Sequence, residues 1–336
     1  MIFNKNNNGV EEIHNIVGVA YYANNDFVSI RPHIIDETRT IIKHIGREVY
    51  DRAEEHYHSD DFNPNWETTE EEEAETDVIE NKLVTLVQTA IALMASFRYN
   101  QANIMSHEDT GRKIKIDNDH EKLPWEWMYD RDDAAMLRRA FLAIDNLIDF
   151  CETEELTEWI DSEKRTACRS LFISSTAEFD RVYPIDESAR FFYILAPFIR
   201  EAQDRTLPGA MTLQVFTDLQ QKYTTNAITD EKDKHLLFLV QHYLPLRTIE
   251  IACSRLAVSV FPEGVVQQFT AGIGTSGRHT TSVASDETRR EYIRHIGKQA
   301  DNALDDIKRY IQQITADKLN YPIMPKNSPN NRYFMT

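Results

Sequence analysis

Phe27-Val28-Ser29-Ile30-Arg31-Pro32 is echoed by Phe179-Asp180-Arg181-Val182-Tyr183-Pro184, and the echo continues along the chain. Ile35-Asp36-Glu37-Thr38 returns as Ile185-Asp186-Glu187-Ser188, and Arg47-Glu48-x-x-Asp51-Arg52 as Arg200-Glu201-x-x-Asp204-Arg205. Leu86-Val87-Gln88 returns as Leu239-Val240-Gln241, and Ala143-Ile144-Asp145-Asn146 as Ala303-Leu304-Asp305-Asp306. The matches keep their order at a nearly constant displacement of about 150 residues, too long for a solenoid repeat and right for an ordinary domain. The sequence therefore predicts two tandem, internally duplicated helical domains. The first spans residues 1–155, the second 156–316, and residues 317–336 form an extended C-terminal arm.

Each half predicts the same sequence of elements. A short extended entry (Phe27 to Arg31, and Leu171-Phe172-Ile173 onward) leads into a helix opened by proline. Ile34, Thr38, Ile41, Ile42, Ile45 and Val49 mark the first such helix, and Phe191, Ile194, Leu195, Phe198 and Ala202 the second, with Pro197 expected to kink or split it. His56 to Asn65 reads as a polar linker, and Thr68-Thr69-Glu70-Glu71-Glu72-Glu73 as a capped, acid-rich helix start. The apolar helix through Leu83, Leu86, Val87, Ala90, Ile91, Met94 and Phe97 is matched by one through Leu236, Leu239, Val240, Tyr243 and Leu244. Short β-hairpin excursions are expected near 107–117 and 263–283. Long amphipathic helices then close the halves, one carrying Met128, Met136, Ala140, Ile144, Leu147, Ile148 and Cys151, the other Tyr292 through Ile311. The expected class is mainly α with β-hairpin excursions, an α+β arrangement.

Composition narrows the function. The 336 residues carry 55 acidic and 37 basic side chains, a formal charge of −18, and such a field repels nucleic acid rather than binding it through phosphate contacts. It suits a smooth acidic wall past which DNA slides. No apolar run reaches membrane-spanning length, and Met1-Ile2-Phe3-Asn4-Lys5-Asn6 lacks the apolar core of a secretory signal. Cys151, Cys168 and Cys253 are odd in number and widely spaced, as reduced thiols in a reducing compartment are.

Candidate chemical motifs are weak. Gly272-Ile273-Gly274-Thr275-Ser276-Gly277 has the glycine spacing of a dinucleotide loop, but Arg278-His279-Thr280-Thr281-Ser282 follows it where an apolar helix is required, so it reads as a loop tip. His56-x-His58 with Asp60 and Asp61 could ligate a metal if extended, because residues two apart then share a face. His107-Glu108-Asp109 and Asp117-x-Asp119-His120 read as turn residues. Cys151 and Cys253 lie in helical apolar stripes, and Trp125 and Trp127 beside Pro124 are expected to anchor the core, with an interface role as the alternative. The expectation is no catalytic residue, no cofactor and no metal; the protein is not expected to be an enzyme.

Leu171-Phe172-Ile173-Ser174-Ser175-Thr176-Ala177-Glu178-Phe179, Ala189-Arg190-Phe191-Phe192 and Pro197-Phe198-Ile199-Arg200 resemble an uncharacterised family from tailed phages and prophages of gut anaerobes, found among virion-structure genes. Phe27-x-x-Ile30-x-Pro32, Ile45-Gly46, Thr110-Gly111 and Ala143-Ile144-Asp145-Asn146-Leu147 agree with it in the first half, so the resemblance covers most of residues 1–315. The element order is also similar to head–tail connector (adaptor) proteins. That resemblance implies a virion structural protein of the neck or tail, assembled in the host bacterial cytoplasm, acting as a homo-oligomer beside portal, neck or tail proteins. DNA would pass without specific binding, and no membrane is involved. The expected interface residues are Thr110, Gly111 and Arg112 in the first excursion, Gly274, Gly277 and Arg278 in the second, and Tyr321, Pro322 and Met324 in the arm. Other readings are a cytoplasmic helical scaffold or binding module, and a metal-dependent enzyme built on His56 and His58.

Overall fold

The computed structural model describes residues 1–18, 27–66, 75–104, 106–108, 111–113, 125–256, 258–261, 264–267 and 286–318. They are mainly helical and divide into two compact units. The first comprises Met1–Cys168 and Ile185–Ile194, and the second Arg169–Pro184 and Leu195–Thr336. The division does not fall at the expected residue 155: the chain stays with the first unit to Cys168 and returns to it for ten residues, 185 to 194.

The first unit contains α1 (Gly9–Val17), α2 (Phe27–Ile45), α3 (Arg47–His58), α4 (Glu75–Asn103), α5 (Glu126–Thr153), α6 (Thr157–Ile160) and α7 (Glu163–Arg169). α4 is its centre. Leu83, Val84, Val87, Ala90, Ile91, Ala92, Leu93, Met94, Ala95 and Phe97 are all buried, and from Ala90 to Phe97 every position is. A helix apolar on every side has to be surrounded, and α1, α2, α3 and α5 all pack on it. Its length and hydropathy would also suit a membrane span, but its apolar residues are the core of this unit.

α2 corrects the expected extended entry at Phe27 to Arg31. Alternation would put Phe27 on one face with Ser29 and Arg31; helical spacing puts Phe27, Ile30, Ile34, Ile41 and Ile45 together, and those are the buried residues. Pro32 is accommodated inside the helix. Gly46 ends α2 with φ 93, a conformation side chains resist, and its N–H bonds the Ile42 carbonyl at 2.9 Å. α3 then runs to His58, into the stretch expected to be linker, burying Val49, Tyr50, Ala53 and Tyr57. On α5 the buried stripe starts only at Ala140; Met128 and Trp125 are exposed, the latter to 71%, so Trp125 is not a core anchor. The large indole of this core is Trp159 of α6, fully buried.

The second unit holds α8 (Thr176–Asp180), most of α9 (Ala189–Met211), α10 (Leu213–Thr224), α11 (Glu231–Arg255) and α12 (Asp286–Lys318). α9 runs as one helix through Pro197 and Pro208 rather than splitting, and breaks at Thr212, whose φ is 70. Ser170–Ile173 is irregular yet passes through the core, with Leu171, Phe172 and Ile173 buried. Buried backbone groups require partners. Glutamines supply them: Gln203 Oε1 accepts from the Phe172 N–H at 2.9 Å, Gln220 donates to the Ser170 carbonyl at 2.9 Å, and Gln241 donates to the Phe172 carbonyl at 2.9 Å. α11 and α12 pack closely at Gly297, where a Cβ would come within 2.7 Å of Glu250 Oε1.

Two short antiparallel strand pairs accompany these helices: β1 (Ser106–Glu108) with β2 (Gly111–Lys113), and β3 (Val258–Phe261) with β4 (Gly264–Gln267). They do not make the architecture α+β; the class that stands is mainly α. The sequence echoes divide on this fold. Leu86–Gln88 and Leu239–Gln241 lie within α4 and α11, and Ala143–Asn146 and Ala303–Asp306 within α5 and α12. Phe27–Pro32 is helix where Phe179–Pro184 is the end of α8 and a turn, and Arg47 opens α3 where Arg200 is mid-α9, so the front echoes join unlike structures.

Replacing Gln203 with Met keeps its volume but strands the buried Phe172 N–H. The expected cost is about 1–3 kcal/mol, read as a lowered urea midpoint at unchanged slope.

Candidate functional site

A set of interacting polar side chains in the first unit lies where α2 ends and α6, α7 and residues 185–194 gather. Helix α2 presents its last carbonyls there, and a lysine meets them. Lys164 Nζ donates to the carbonyl of Lys43 at 3.0 Å and of His44 at 3.4 Å, capping the helix C-terminus with a positive charge where the dipole favours one. Burial lowers the Lys164 pKa. His44 is half-buried, its Nδ1 has no partner, and burial, followed by the fields of Lys164 and Arg190, pushes its pKa down to about 4. The imidazole is therefore neutral at neutral pH.

Residues 185–194 are fixed on α5 by one carboxylate. Asp145 accepts from the Arg190 N–H at 2.7 Å and from Ser188 Oγ at 3.0 Å, binding the first turn of α9 and its capping serine together. The Arg190 guanidinium stacks on Phe141, 4.0 Å from the ring centre. Farther along α5, Glu152 accepts from Arg165 at 2.8 Å and from the Tyr193 hydroxyl at 2.7 Å. Burial and this carboxylate raise the Tyr193 pKa. The Tyr193 ring meets Trp159 edge-on at 5.4 Å. Arg52 of α3 forks between Glu80 of α4 and Glu158 of α6, the latter at 2.8 Å, and the pairing with Glu80 holds it charged.

Beside this set opens a cleft of about 750 Å³, lined by residues of the α2–α3 corner (Lys43, Gly46, Glu48) and of α6–α7 (among them Asp161, Ser162, Glu163 and Lys164). Glu152 with Arg165 and Arg52 with Glu80 and Glu158 pair charge with charge, while Lys164 caps backbone carbonyls and the Arg190 guanidinium stacks on Phe141; these contacts hold helices in place. Cys151 is buried and its thiol is pushed up to about 12, which keeps it from acting as a thiolate; Cys168 is buried as well. The cleft rim carries both signs of charge.

The residues of the alternative metal-site reading are not brought together. His56 and His58 lie on helix α3, where residues two apart point to opposite sides. His56 Nε2 is hydrogen-bonded to Asn81 Oδ1 at 2.9 Å, and His58 packs edge-on against Tyr57. Among the described residues no group of three or more His, Cys, Asp or Glu could hold a metal ion. Of the expected interface residues, Gly111 and Arg112 fall in β2, paired with Glu108 and His107. Thr110, Gly274, Gly277, Arg278, Tyr321, Pro322 and Met324 lie outside the described residues, as do the acid-rich start at 68–73 and the glycine cluster at 272–277. The Asp145 anchor had one sequence signal, a serine immediately before an apolar helix; the Arg52 fork had none, since its partners are 28 and 106 residues away.

No family model, curated protein or solved structure matches the chain.

His44 gives the first unit an acid sensitivity. Its folded pKa lies below the ordinary imidazole value near 6.5, so between about pH 6.5 and 4 the unfolded chain binds the extra proton. Its contribution to stability is fully present above that window and falls as pH drops through it. Urea unfolding across pH 7 to 4 is expected to show a wild-type decline that is shallower in His44→Gln; equal slopes would remove His44 as its source.

Proposed function

We propose that the protein is a structural subunit of a tailed-phage or prophage virion, placed at the neck or tail and acting by assembly rather than catalysis. One observation carries this reading: the run α2, α3, α4, a strand pair and α5 is followed, after the short helices α6, α7 and α8, by the run α9, α10, α11, a strand pair and α12. Echoed residues Leu86–Gln88 and Leu239–Gln241 fall within α4 and α11, and Ala143–Asn146 and Ala303–Asp306 within α5 and α12, while the front echoes join unlike structures. A ring of such chains presents two quasi-equivalent surfaces per subunit, a means of matching neighbouring rings of different symmetry. Residues Thr110, Gly111 and Arg112, Gly274, Gly277 and Arg278, and Tyr321, Pro322 and Met324 are the proposed contacts to neighbours. The charge of −18 suits a conduit that DNA traverses without binding. Assembly would occur in the host cytoplasm, with portal, neck or tail proteins as partners.

Mass determination by light scattering, with negative-stain imaging of the same fraction, tests the reading. Rings or one large discrete oligomer, alone or on adding portal and neck proteins, are expected. A strict 39.1 kDa monomer under all these conditions would count decisively against it.

A further inference from the structure

Although acids outnumber bases, α12 exposes a row of cations that form no ion pair among the described residues. Arg290, Arg294 and Lys298 are exposed and stand at successive steps of four residues, about 6 Å apart along one side of the helix. Among the described residues none of the three makes an ion pair. Several other cations of the second unit do find partners: Arg205 and Arg255 share Glu201, Lys222 takes Asp233, Lys234 takes Glu231, and Lys308 takes Asp305.

The reason is local. Two hollows, of about 450 and 330 Å³, run along the row and share Arg290 and Arg294. The carboxylates of the second hollow, Glu250 and Asp301, are both taken at 2.5 Å by Arg247. Glu287 and Glu291 line the first hollow without pairing to the row. An accessible line of unpaired cations at helical spacing is matched by a line of carboxylates at helical spacing. Such a line is present on α3, where Glu48, Asp51 and Glu55 are exposed at steps of three and four; among the described residues Asp51 is paired, weakly, to Arg47 at 3.5 Å and the other two form no ion pair.

The geometry points to a contact between copies, in which the Arg290–Arg294–Lys298 row of one chain docks on the Glu48–Asp51–Glu55 face of α3 in a second. This inference rests on the assembly reading. Unlike patches meet, so the contact is head-to-tail and closes into a ring or continues as a filament. Duplex DNA is the competing occupant, disfavoured by the chain's overall negative field.

Complementary charge reversal tests it, on exposed residues whose replacement leaves folding intact by circular dichroism. One variant carries R290E, R294E and K298E; the other carries E48K, D51K and E55K. Each alone is expected to fall to the 39.1 kDa monomer in light scattering, and their equimolar mixture to regain the wild-type mass, because every contact in an alternating assembly is again between opposite charges. The wild-type oligomer is expected to weaken with added salt. Wild-type mass in either variant alone, or no recovery on mixing, overturns the inference while leaving the assembly reading in place. A wild-type monomer in every condition overturns both. Short duplex DNA retained by wild type but not by the row variant, at unchanged protein mass, assigns the row to nucleic acid and overturns the contact.

Discussion

The first unit depends on burying α4 from every side. A helix with buried residues at nearly every position from Leu83 to Ala95 can be stable in water only inside a ring of other elements. That requirement sets the roles of the helices around it. α2 offers the stripe Phe27, Ile30, Ile34, Ile41 and Ile45, and α5 offers Ala140, Ile144, Leu147, Ile148 and Cys151. Polar residues that must enter the same interior are held in pairs: Gln88 donates to the Ile2 carbonyl at 2.7 Å, and Asn81 accepts from His56 and from the Asn63 N–H. The Arg52 fork then ties α3, α4 and α6 through two carboxylates at a partly exposed site.

The second unit solves a different problem. Its core is crossed by an irregular strip, Ser170–Ile173, with no helix or sheet to satisfy its backbone. Amide side chains from α9, α10 and α11 take that role, because a glutamine can donate and accept at once. These long-range hydrogen bonds fix three helices to one strip of chain, so specificity here comes from polar contacts at the centre rather than from apolar shape alone.

Much of this was legible in the sequence where periodicity carried it. The helices through Leu83–Phe97 and Leu236–Leu244, the stripe of α5 from Ala140 and the burial of Cys151 all follow from spacing. Phe27–Arg31 was misleading, because five residues rich in Phe, Val and Ile satisfy an alternating pattern and a helical one about equally; the continuation to Ile34 and Ile41 decides for helix. Trp125 misled through its size. An aromatic residue beside a proline suggests an anchor, but the anchoring indole is Trp159, in a four-residue helix too short to show any period. The Asp145 anchor and the Arg52 fork depend on contacts between residues far apart in the chain, which local spacing cannot encode.

A helix that needs covering on every side also has a history in time. Synthesis delivers α4 before α5, so from the moment Phe97 leaves the ribosome until Cys151 follows, the flank of α4 that α5 will cover is bare. Residues 185–194, which complete the first unit, arrive later still. The nascent chain therefore carries an uncovered apolar rod through a long stretch of translation, and folding of this unit is tied to elongation speed and to the chaperones that shield such surfaces.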